Sequence, residues 1–285
     1  MLEGKETFCV ILRRADSFPF QELAALLSGA FGVPVHDAAA GLRRNWGLLL
    51  KTDELGRAKG LSQRLAVAGF DSFIIAASEL RQLPPLKNIR KASFSERGLI
   101  IETGLGPAGC AGQAEIPWGS FASALVCAGS FIEEEVSISG GAQGPQDGPG
   151  IKISDIVKSA AFTIATGMPS LGKLKPGQKK DKGGAPAKRQ GLSHYLDIIS
   201  PGGLSPGGVA FRVCGESFDY SYLGGGKEYS SLLNFGKLAR DVLSFLPQAV
   251  KNRGAVALGN GTGAGIRYAG KDEYEAERFW LLQLL

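Results

Sequence analysis

The amino-acid sequence predicts an α+β protein, in which a two-layer sandwich is followed by an antiparallel sheet that one amphipathic helix closes. Three observations lead to this class. A strand–helix–strand pattern occurs twice before residue 82, short apolar runs separated by glycine turns follow residue 87, and a helical apolar stripe follows residue 230. The 285 residues are enough for two domains with separate cores. The content of 44% hydrophobic and 21% charged residues is typical of a soluble globular chain.

The two N-terminal units share one layout, and each helix is followed by a glycine, Gly32 in the first unit and Gly69 in the second. Apolar residues recur in both helices at intervals of three and four, which places them on one buried face. The predicted elements are a strand at 8–12, a helix at 20–31, strands at 33–35 and 46–51, a helix at 54–68 and a strand at 73–77. Two such units most simply form a ferredoxin-like βαββαβ domain over residues 1–82, with two helices on a four-stranded sheet.

A second domain is predicted over residues 87–250, because the paired prolines within residues 83–86 break helices and central strands alike. It is organised around residues 97–132, which indicate a strand, a glycine turn and a second strand entered through Ile116-Pro117-Trp118. Further strands are predicted at 195–199, 209–214 and 217–223, before an amphipathic helix at 231–246. Residues 251–285 are predicted to form a glycine-rich connector and a last helix.

The order of these elements resembles that of bacterial PH-like (GRAM-like) domains. The residues that carry the resemblance are Gly98-Leu99-Ile100-Ile101 in one strand, Ile116-Pro117-Trp118 at the entry to the next, and the closing helix at 231–246. The resemblance covers about residues 89–247 and treats residues 151–192 as an insertion that contains a helix and a disordered tract. Since such domains are mostly binding or scaffolding modules, the resemblance implies a non-catalytic protein.

The insertion contains the most basic stretch of the chain, at residues 172–191. Seven basic residues stand against one acidic residue there, a balance of +6, whereas the whole chain carries +5. The basic residues are Lys173, Lys175, Lys179, Lys180, Lys182, Lys188 and Arg189. Their glycine- and proline-rich surroundings predict a disordered, solvated linker. The alternative is a contact with the phosphates of nucleic acid or of an anionic membrane.

Histidine and cysteine offer few candidates for chemistry. His36 and Asp37 are the best acid–base pair, because an aspartate can orient an imidazole, and they define a hydrolase-like alternative. No serine or cysteine at a nucleophile elbow accompanies them. His194 follows the basic tract and is predicted to be solvated. The sequence contains no metal-binding or cofactor-binding motif.

The four cysteines are predicted to be reduced. Cys9, Cys127 and Cys214 lie within apolar runs, where a thiol usually behaves as a small buried hydrophobe. Cys110 lies in a glycine–alanine loop and is expected near solvent.

Three further patterns have both a structural and a functional interpretation. Glu133-Glu134-Glu135 would offer carboxylates to a hard cation, although successive strand residues point to opposite faces. Residues 259–265 partly imitate a dinucleotide-binding loop but lack the βα unit behind it, so a connector is predicted. An aromatic set either lines a ligand groove or belongs to the core: Phe211, Phe218, Tyr220, Tyr222 and Tyr229.

These patterns favour a cytoplasmic, non-catalytic binding or regulatory module that contacts another macromolecule, with a protein partner expected first. The first 12 residues do not have the form of a signal peptide, and no run reaches the roughly 18 apolar residues of a membrane helix. Two alternatives stay open. One is a hydrolase-like enzyme that uses His36 and Asp37, and the other is a peripheral binder of nucleic acid or anionic membrane that uses residues 172–191.

Overall fold

The computed structural model describes residues 6–13, 19–103, 112–136, 188–202, 208–262 and 265–285. These residues contain both helices and strands, which confirms the α+β class. The strands are β1 Phe8–Leu12, β2 Leu48–Thr52, β3 Ser72–Ala76, β4 Leu86–Ile89, β5 Ala92–Phe94, β6 Gly98–Thr103, β7 Gly112–Pro117, β8 Leu125–Val136, β9 Lys188–Ser200, β10 Val209–Cys214 and β11 Val250–Lys251. The helices are α1 Phe20–Phe31, α2 Val35–Asn45, α3 Leu55–Val67, α4 Ser231–Phe245, α5 Arg253–Gly259 and α6 Lys271–Gln283.

The N-terminal sheet has the order β2-β1-β3, with β1 antiparallel to both neighbours. Most of its predicted elements are present, but the predicted strand at 33–35 is wrong, because helix α2 begins at Val35. Gly32 ends α1 in the left-handed region at φ 67°, and Pro34 then precedes the first turn of α2, where a missing N–H costs nothing. The described residues therefore form a three-stranded sheet rather than the four-stranded sheet of a ferredoxin-like domain.

The remaining strands form two sheets. The larger has the order β11-β8-β9-β10-β4, and the smaller is the antiparallel sheet β5-β6-β7. Two predictions need correction here. Ile116-Pro117-Trp118 ends β7 instead of opening the next strand, since a 3₁₀ turn begins at Trp118 and β8 begins at Leu125. Residues 217–223 are not a strand, because another 3₁₀ turn occupies Tyr220–Gly226.

The buried face of helix α4 belongs to a core cluster that also contains residues of the β5-β6-β7 sheet and of the larger sheet. Phe235, Leu238 and Val242 are at most 2% exposed and belong to one core cluster with Leu99 and Ile101 of β6. Ser230 caps the helix by accepting a hydrogen bond from the backbone N–H of Leu233. The alternation along β6 therefore turns Leu99 and Ile101 towards this core cluster and leaves Ile100, between them, on the opposite face.

The second core cluster joins the N-terminal sheet to α6. The Trp280 ring stacks on Trp46 at 6.2 Å, and its Nε1–H donates to the carbonyl of Leu12 at 2.8 Å. Gln283 bonds both backbone groups of Arg81 through its side-chain amide. Residues 1–133 and 192–285 consequently belong to one compact unit, and the predicted domain boundary at residues 83–86 lies inside it. Independent folding of residues 1–82 stays a prediction.

A buried ion-pair network also lies within this unit. Asp197 of β9 is fully buried and accepts two hydrogen bonds from the Arg212 guanidinium, each 2.7 Å long, and one from Arg278 at 2.5 Å. Burial by itself raises the pKa of Asp197, but the two guanidinium groups outweigh it and hold that pKa below its ordinary value. The network joins β9, β10 and α6.

Several predictions concern residues that the structure does not describe. These are the glycine turn at 104–111 with Cys110, the predicted helix within residues 151–167 and most of the basic tract. The end of the tract is described, and there the prediction of disorder is wrong, because Lys188 opens β9 and Arg189 follows it in that strand. Among the described residues, no single helix is long and apolar enough to cross a membrane. Helices α1 and α2, bent by 114°, pass that test of length and composition only when they are taken together.

Candidate functional site

The best candidate site lies on the outer face of the β5-β6-β7 sheet, defined here as the face opposite the buried Leu99 and Ile101. Strand register places Ser93, Ile100 and Glu115 in one row across the three strands. Glu102 and Gln113 form the next row. Side chains in both rows are half-buried or exposed, so this face offers polar groups around one central isoleucine.

A cleft of about 170 Å³ opens where the outer face meets the 3₁₀ turn at Tyr220–Gly226. Its lining combines carboxylate, ammonium, hydroxyl, amide and aromatic groups: Lys91, Ala92, Ser93, Ile100, Glu102, Gln113, Ser221 and Tyr222. This volume fits one side chain or a short stretch of peptide, and it is smaller than a typical small-molecule site.

The turn that forms one wall of the cleft is held by Asp219. The backbone N–H of Asp219 donates to the carbonyl of Arg90 at 2.7 Å, which ties the turn to the start of β5. The Asp219 carboxylate accepts hydrogen bonds from the backbone N–H and the hydroxyl of Ser221. Tyr222 is therefore presented to the cleft by a turn with fixed anchors, and its hydroxyl donates to Asp241 of α4 at 2.8 Å.

Tyr222 also connects the cleft to a group of contacting rings, called here the aromatic stack: Phe94, Trp118, Tyr222 and Phe245. Tyr222 meets Phe94 edge-on with ring centroids 5.1 Å apart, and Trp118 lies nearly parallel to Phe245 at 4.6 Å. The indole Nε1–H of Trp118 donates to the carbonyl of Ser95 at 2.9 Å. Phe245 remains 38% exposed, so one end of the stack meets solvent.

The charges at the site are unevenly balanced. Lys91 and Glu102 form an ion pair at 2.6 Å, and the hydrogen bond that Lys91 donates to Glu102 raises the pKa of the lysine. Glu115 is exposed and accepts a hydrogen bond only from the Ser95 hydroxyl, at 2.8 Å, among the described residues. The outer face therefore carries one carboxylate, Glu115, that forms no ion pair within 4.0 Å with a described basic side chain.

The predicted acid–base pair does not form a comparable site. His36 and Asp37 lie 3.3 Å apart in the first turn of α2, with side chains 83% and 59% exposed. Neither lines the cleft. A hydrolase needs a pocket that positions substrate beside the base, and the open position of His36 provides none, so the geometry does not support this alternative.

His194 differs from its predicted solvated state. Its side chain is only 15% exposed, its Nδ1 lies 2.6 Å from Glu216, and its ring packs on Phe235 of α4. The other Glu216 oxygen accepts a hydrogen bond from the Cys214 thiol at 3.1 Å. Burial raises the pKa of Cys214, and the bond to Glu216 adds to this effect, so the thiol stays protonated at neutral pH. The cluster satisfies its own polar groups and contains no activated nucleophile.

The other candidate residues have structural positions. Cys9 and Cys127 are buried, as predicted, whereas Cys214 is half-buried. Glu133 accepts a hydrogen bond from the Tyr195 hydroxyl at 2.5 Å, while the side chains of residues 134 and 135 lie outside the described set. Helix α5 ends at Gly259, so a helix, and not the strand that a dinucleotide loop requires, precedes residues 259–265.

The aromatic set divides between the two interpretations. Phe211, Phe218 and Tyr220 are buried in the core, Tyr222 lines the cleft, and Tyr229 is fully exposed. The sequence patterns point to Tyr222 and Trp118 but not to Lys91, Glu102 or Glu115. The alternation along β6 is the sequence signal that assigns Ile100 and Glu102 to one face. Their neighbours on β5 and β7 follow only from the strand register.

Comparison of the chain with protein-family models, with curated proteins and with solved structures finds no match. The assignment of function therefore depends on the geometry of the outer face, the cleft and the aromatic stack.

Proposed function

We propose that the protein is a non-catalytic binding module that holds an extended segment of a partner protein on the outer face of the β5-β6-β7 sheet. The observation that carries the proposal is the continuity of the site. The cleft and the half-buried Ile100 offer apolar contact area and hydrogen-bonding groups together, and Tyr222, which lines the cleft, contacts Phe94 of the aromatic stack. Interfaces between proteins have this composition, with aromatic residues enriched among those that contribute most to affinity.

The rigidity of the surface supports the same function. Tyr222 and Trp118 are each fixed by a hydrogen bond to another element, Asp241 and Ser95 respectively. A side chain that is already ordered loses less conformational entropy on binding. The resemblance to PH-like domains agrees with a binding function, and we retain it as a proposal for residues 89–247, with α4 as the closing helix.

The test is a random peptide display library selected against the whole protein. Selected peptides are then measured on two matched variants, Ile100→Asp on the outer face and Val67→Asp on α3, where Val67 is 91% exposed. We expect Ile100→Asp to weaken binding by about tenfold or more, since it places a charge against apolar contact area, and Val67→Asp to leave binding unchanged. Selected peptides that bind both variants like the wild type would overturn the proposed site, as would a failure to select any peptide.

A second candidate function uses the basic tract, because its +6 balance exceeds the +5 of the whole chain. Binding to a nucleic acid or to anionic vesicles through this tract would fall steeply as salt rises. Peptide binding at the outer face would survive deletion of the tract, whereas polyanion binding would not.

The deletion should end at Ala187, since β9 begins at Lys188. Deletion of residues 172–187 is expected to change the melting temperature by less than about 5 °C, because their composition provides little apolar surface for a core. Thermal unfolding followed by circular dichroism measures this, and a larger fall would indicate that the tract is packed.

A further inference from the structure

We infer that the partner segment presents a basic side chain, an arginine or a lysine, to Glu115 on the outer face. This inference depends on the proposed function, because it concerns the chemistry of what the same surface binds. It follows from the position of one carboxylate beside one apolar side chain.

Glu115 is the carboxylate of the outer face that is left for a partner. Glu102, the other carboxylate of the outer face, is already paired with Lys91 at 2.6 Å. Glu115 has only the neutral hydroxyl of Ser95 as a hydrogen-bond donor among the described residues. A cation from a partner would therefore find a carboxylate that forms no ion pair with a described side chain and that has further lone pairs available.

An apolar side chain lies beside Glu115 on the outer face. Strand register places Glu115 directly opposite Ile100, whose side chain is half-buried on the same outer face. Lysine and arginine carry an aliphatic stem that covers apolar surface while the charged end reaches a polar group. Ile100 beneath the stem and Glu115 at its end match this shape, and an acidic or a small neutral side chain would match neither.

Hydrogen bonds of Ser95 hold the Glu115 carboxylate in place. Ser95 donates its hydroxyl hydrogen to Glu115 and accepts the Trp118 indole N–H at its carbonyl oxygen. Its hydroxyl also accepts the backbone N–H groups of Arg97 and Gly98, which holds the turn between β5 and β6. The carboxylate is thus held in place before binding and next to a tryptophan that can report on it.

The experiment uses the peptides selected on the whole protein. We expect them to contain an arginine or a lysine at a constant position. Replacement of that arginine by citrulline, or of that lysine by N-acetyl-lysine, removes the charge and keeps the stem. It should weaken binding by about tenfold, the usual effect of losing a hydrogen bond to a charged group. Glu115→Gln keeps an acceptor for Ser95 and should cause the same loss. Combining the two changes should weaken binding little further, because both remove one interaction.

Two controls separate this inference from the proposed function. Glu96→Gln removes a charge from the exposed turn beside the site and should leave affinity unchanged. In ¹⁵N spectra of the whole protein, the indole signal assigned to Trp118 by its loss in Trp118→Phe should shift on peptide binding. Peptides that depend on Ile100 but bind equally well after Glu115→Gln would overturn the inference and leave the proposed function intact. Peptides indifferent to both residues would overturn both.

Discussion

At the scale of single residues, the most consequential feature is a buried carboxylate between two arginines. Asp197 has no exposed surface, and its partners Arg212 and Arg278 have side chains 11% and 6% exposed. Arg212 also packs over the Tyr195 ring at 4.9 Å. Formation of a buried ion pair has an unfavourable desolvation free energy. Removal of one partner, however, leaves the others charged in an apolar environment.

Asp197→Asn should therefore lower the free energy of unfolding by about 3–5 kcal/mol, because both guanidinium groups lose their buried counter-charge. Urea unfolding at pH 7 measures the change. Asp37→Asn is the matched control, since the Asp37 side chain is 59% exposed, and it should change stability by less than about 0.5 kcal/mol. Equal effects of the two substitutions would mean that the ion-pair network does not contribute to the free energy of unfolding.

The same residue predicts a pH dependence. The pKa of Asp197 in the folded protein lies below its ordinary value, which is about 3.9 in an unfolded chain. Its contribution is present above about pH 3.9 and is lost as the pH falls through the folded pKa, because the unfolded chain takes up the proton first. The stability difference between the wild type and Asp197→Asn should shrink between pH 4 and pH 2 in urea titrations. A difference that stays constant over this range would contradict the assigned pKa direction.

At the scale of elements, helix α4 both closes a core and borders the candidate site. Its buried face belongs to the core cluster that contains Leu99 and Ile101, while Asp241 accepts a hydrogen bond from Tyr222 and Phe245 stacks on Trp118. The helix thus contributes both to this core cluster and to the aromatic stack. Loss of α4 packing should disturb the aromatic stack in the same event.

Phe235→Ala should destabilise the protein by about 3–5 kcal/mol, the usual loss when a fully buried ring is truncated. The ¹⁹F signal of Trp118 should change in the same unfolding transition as the helical circular dichroism. Incorporation of 5-fluorotryptophan gives separate ¹⁹F signals for Trp46, Trp118 and Trp280, with Trp118 assigned by Trp118→Phe.

One shared denaturation midpoint is expected for the Trp118 ¹⁹F signal and for the helical circular dichroism of Phe235→Ala. Two separate midpoints, with Trp118 insensitive to the first, would place α4 in a different folding unit from the small sheet. Leu233→Ala serves as a control on the same helix, because Leu233 is 50% exposed and its truncation should cost much less.

At the scale of the whole chain, α6 completes the core of the N-terminal sheet. Trp280 fills a space that Gly47 leaves open, because a Cβ atom at residue 47 would lie 2.0 Å from the indole nitrogen. Arg253 stacks over Trp46 at 4.3 Å and pairs with Glu273 and Glu277 of α6. The N-terminal residues and α6 are thus joined by apolar contacts around Trp280 and by the ion pairs of Arg253.

Trp280→Ala should lower the free energy of unfolding by about 3–5 kcal/mol, since it removes a large buried ring. Trp280→Phe keeps most of the apolar contact and loses the hydrogen bond to Leu12, so it should cost less than Trp280→Ala. Chemical unfolding of both variants measures the series. Equal stability of Trp280→Ala and the wild type would show that α6 is not needed by the N-terminal sheet.

Expression of residues 1–82 alone tests the predicted domain directly. The fragment lacks the Trp280 ring that covers Trp46, so we expect it to be less stable than the same residues within the whole chain. Dispersed NMR shifts with the stability of the intact protein would support an independent N-terminal domain.

The sequence predicts local elements well where one face is apolar, as in α1, α3 and α4. It misleads where two patterns coincide. Val33-Pro34-Val35 is rich in β-branched residues, yet its proline begins a helix. The alternating Phe218, Tyr220 and Tyr222 suggest a strand, but the side chain of Asp219 bonds the backbone of Ser221 and forms a turn instead.

Long-range pairing explains most of the rest. Asp197 lies between apolar residues in a strand, and its local pattern does not reveal that Arg212 and Arg278 will reach it from β10 and α6. The cleft has the same origin, because its walls come from strands paired in a particular register and from a turn more than 100 residues later. Charge, size and alternation specify neither the partner nor the register.

The contact between Trp280 and Leu12 has a consequence for synthesis of the chain on the ribosome. The two residues are separated by 268 positions, and Trp46 is made 234 residues before Trp280. At a translation rate of about 5–20 residues per second, Trp46 emerges roughly 12–47 s before the ring that covers it. During this interval the apolar surface that Trp280 later covers is exposed to chaperones and to other nascent chains.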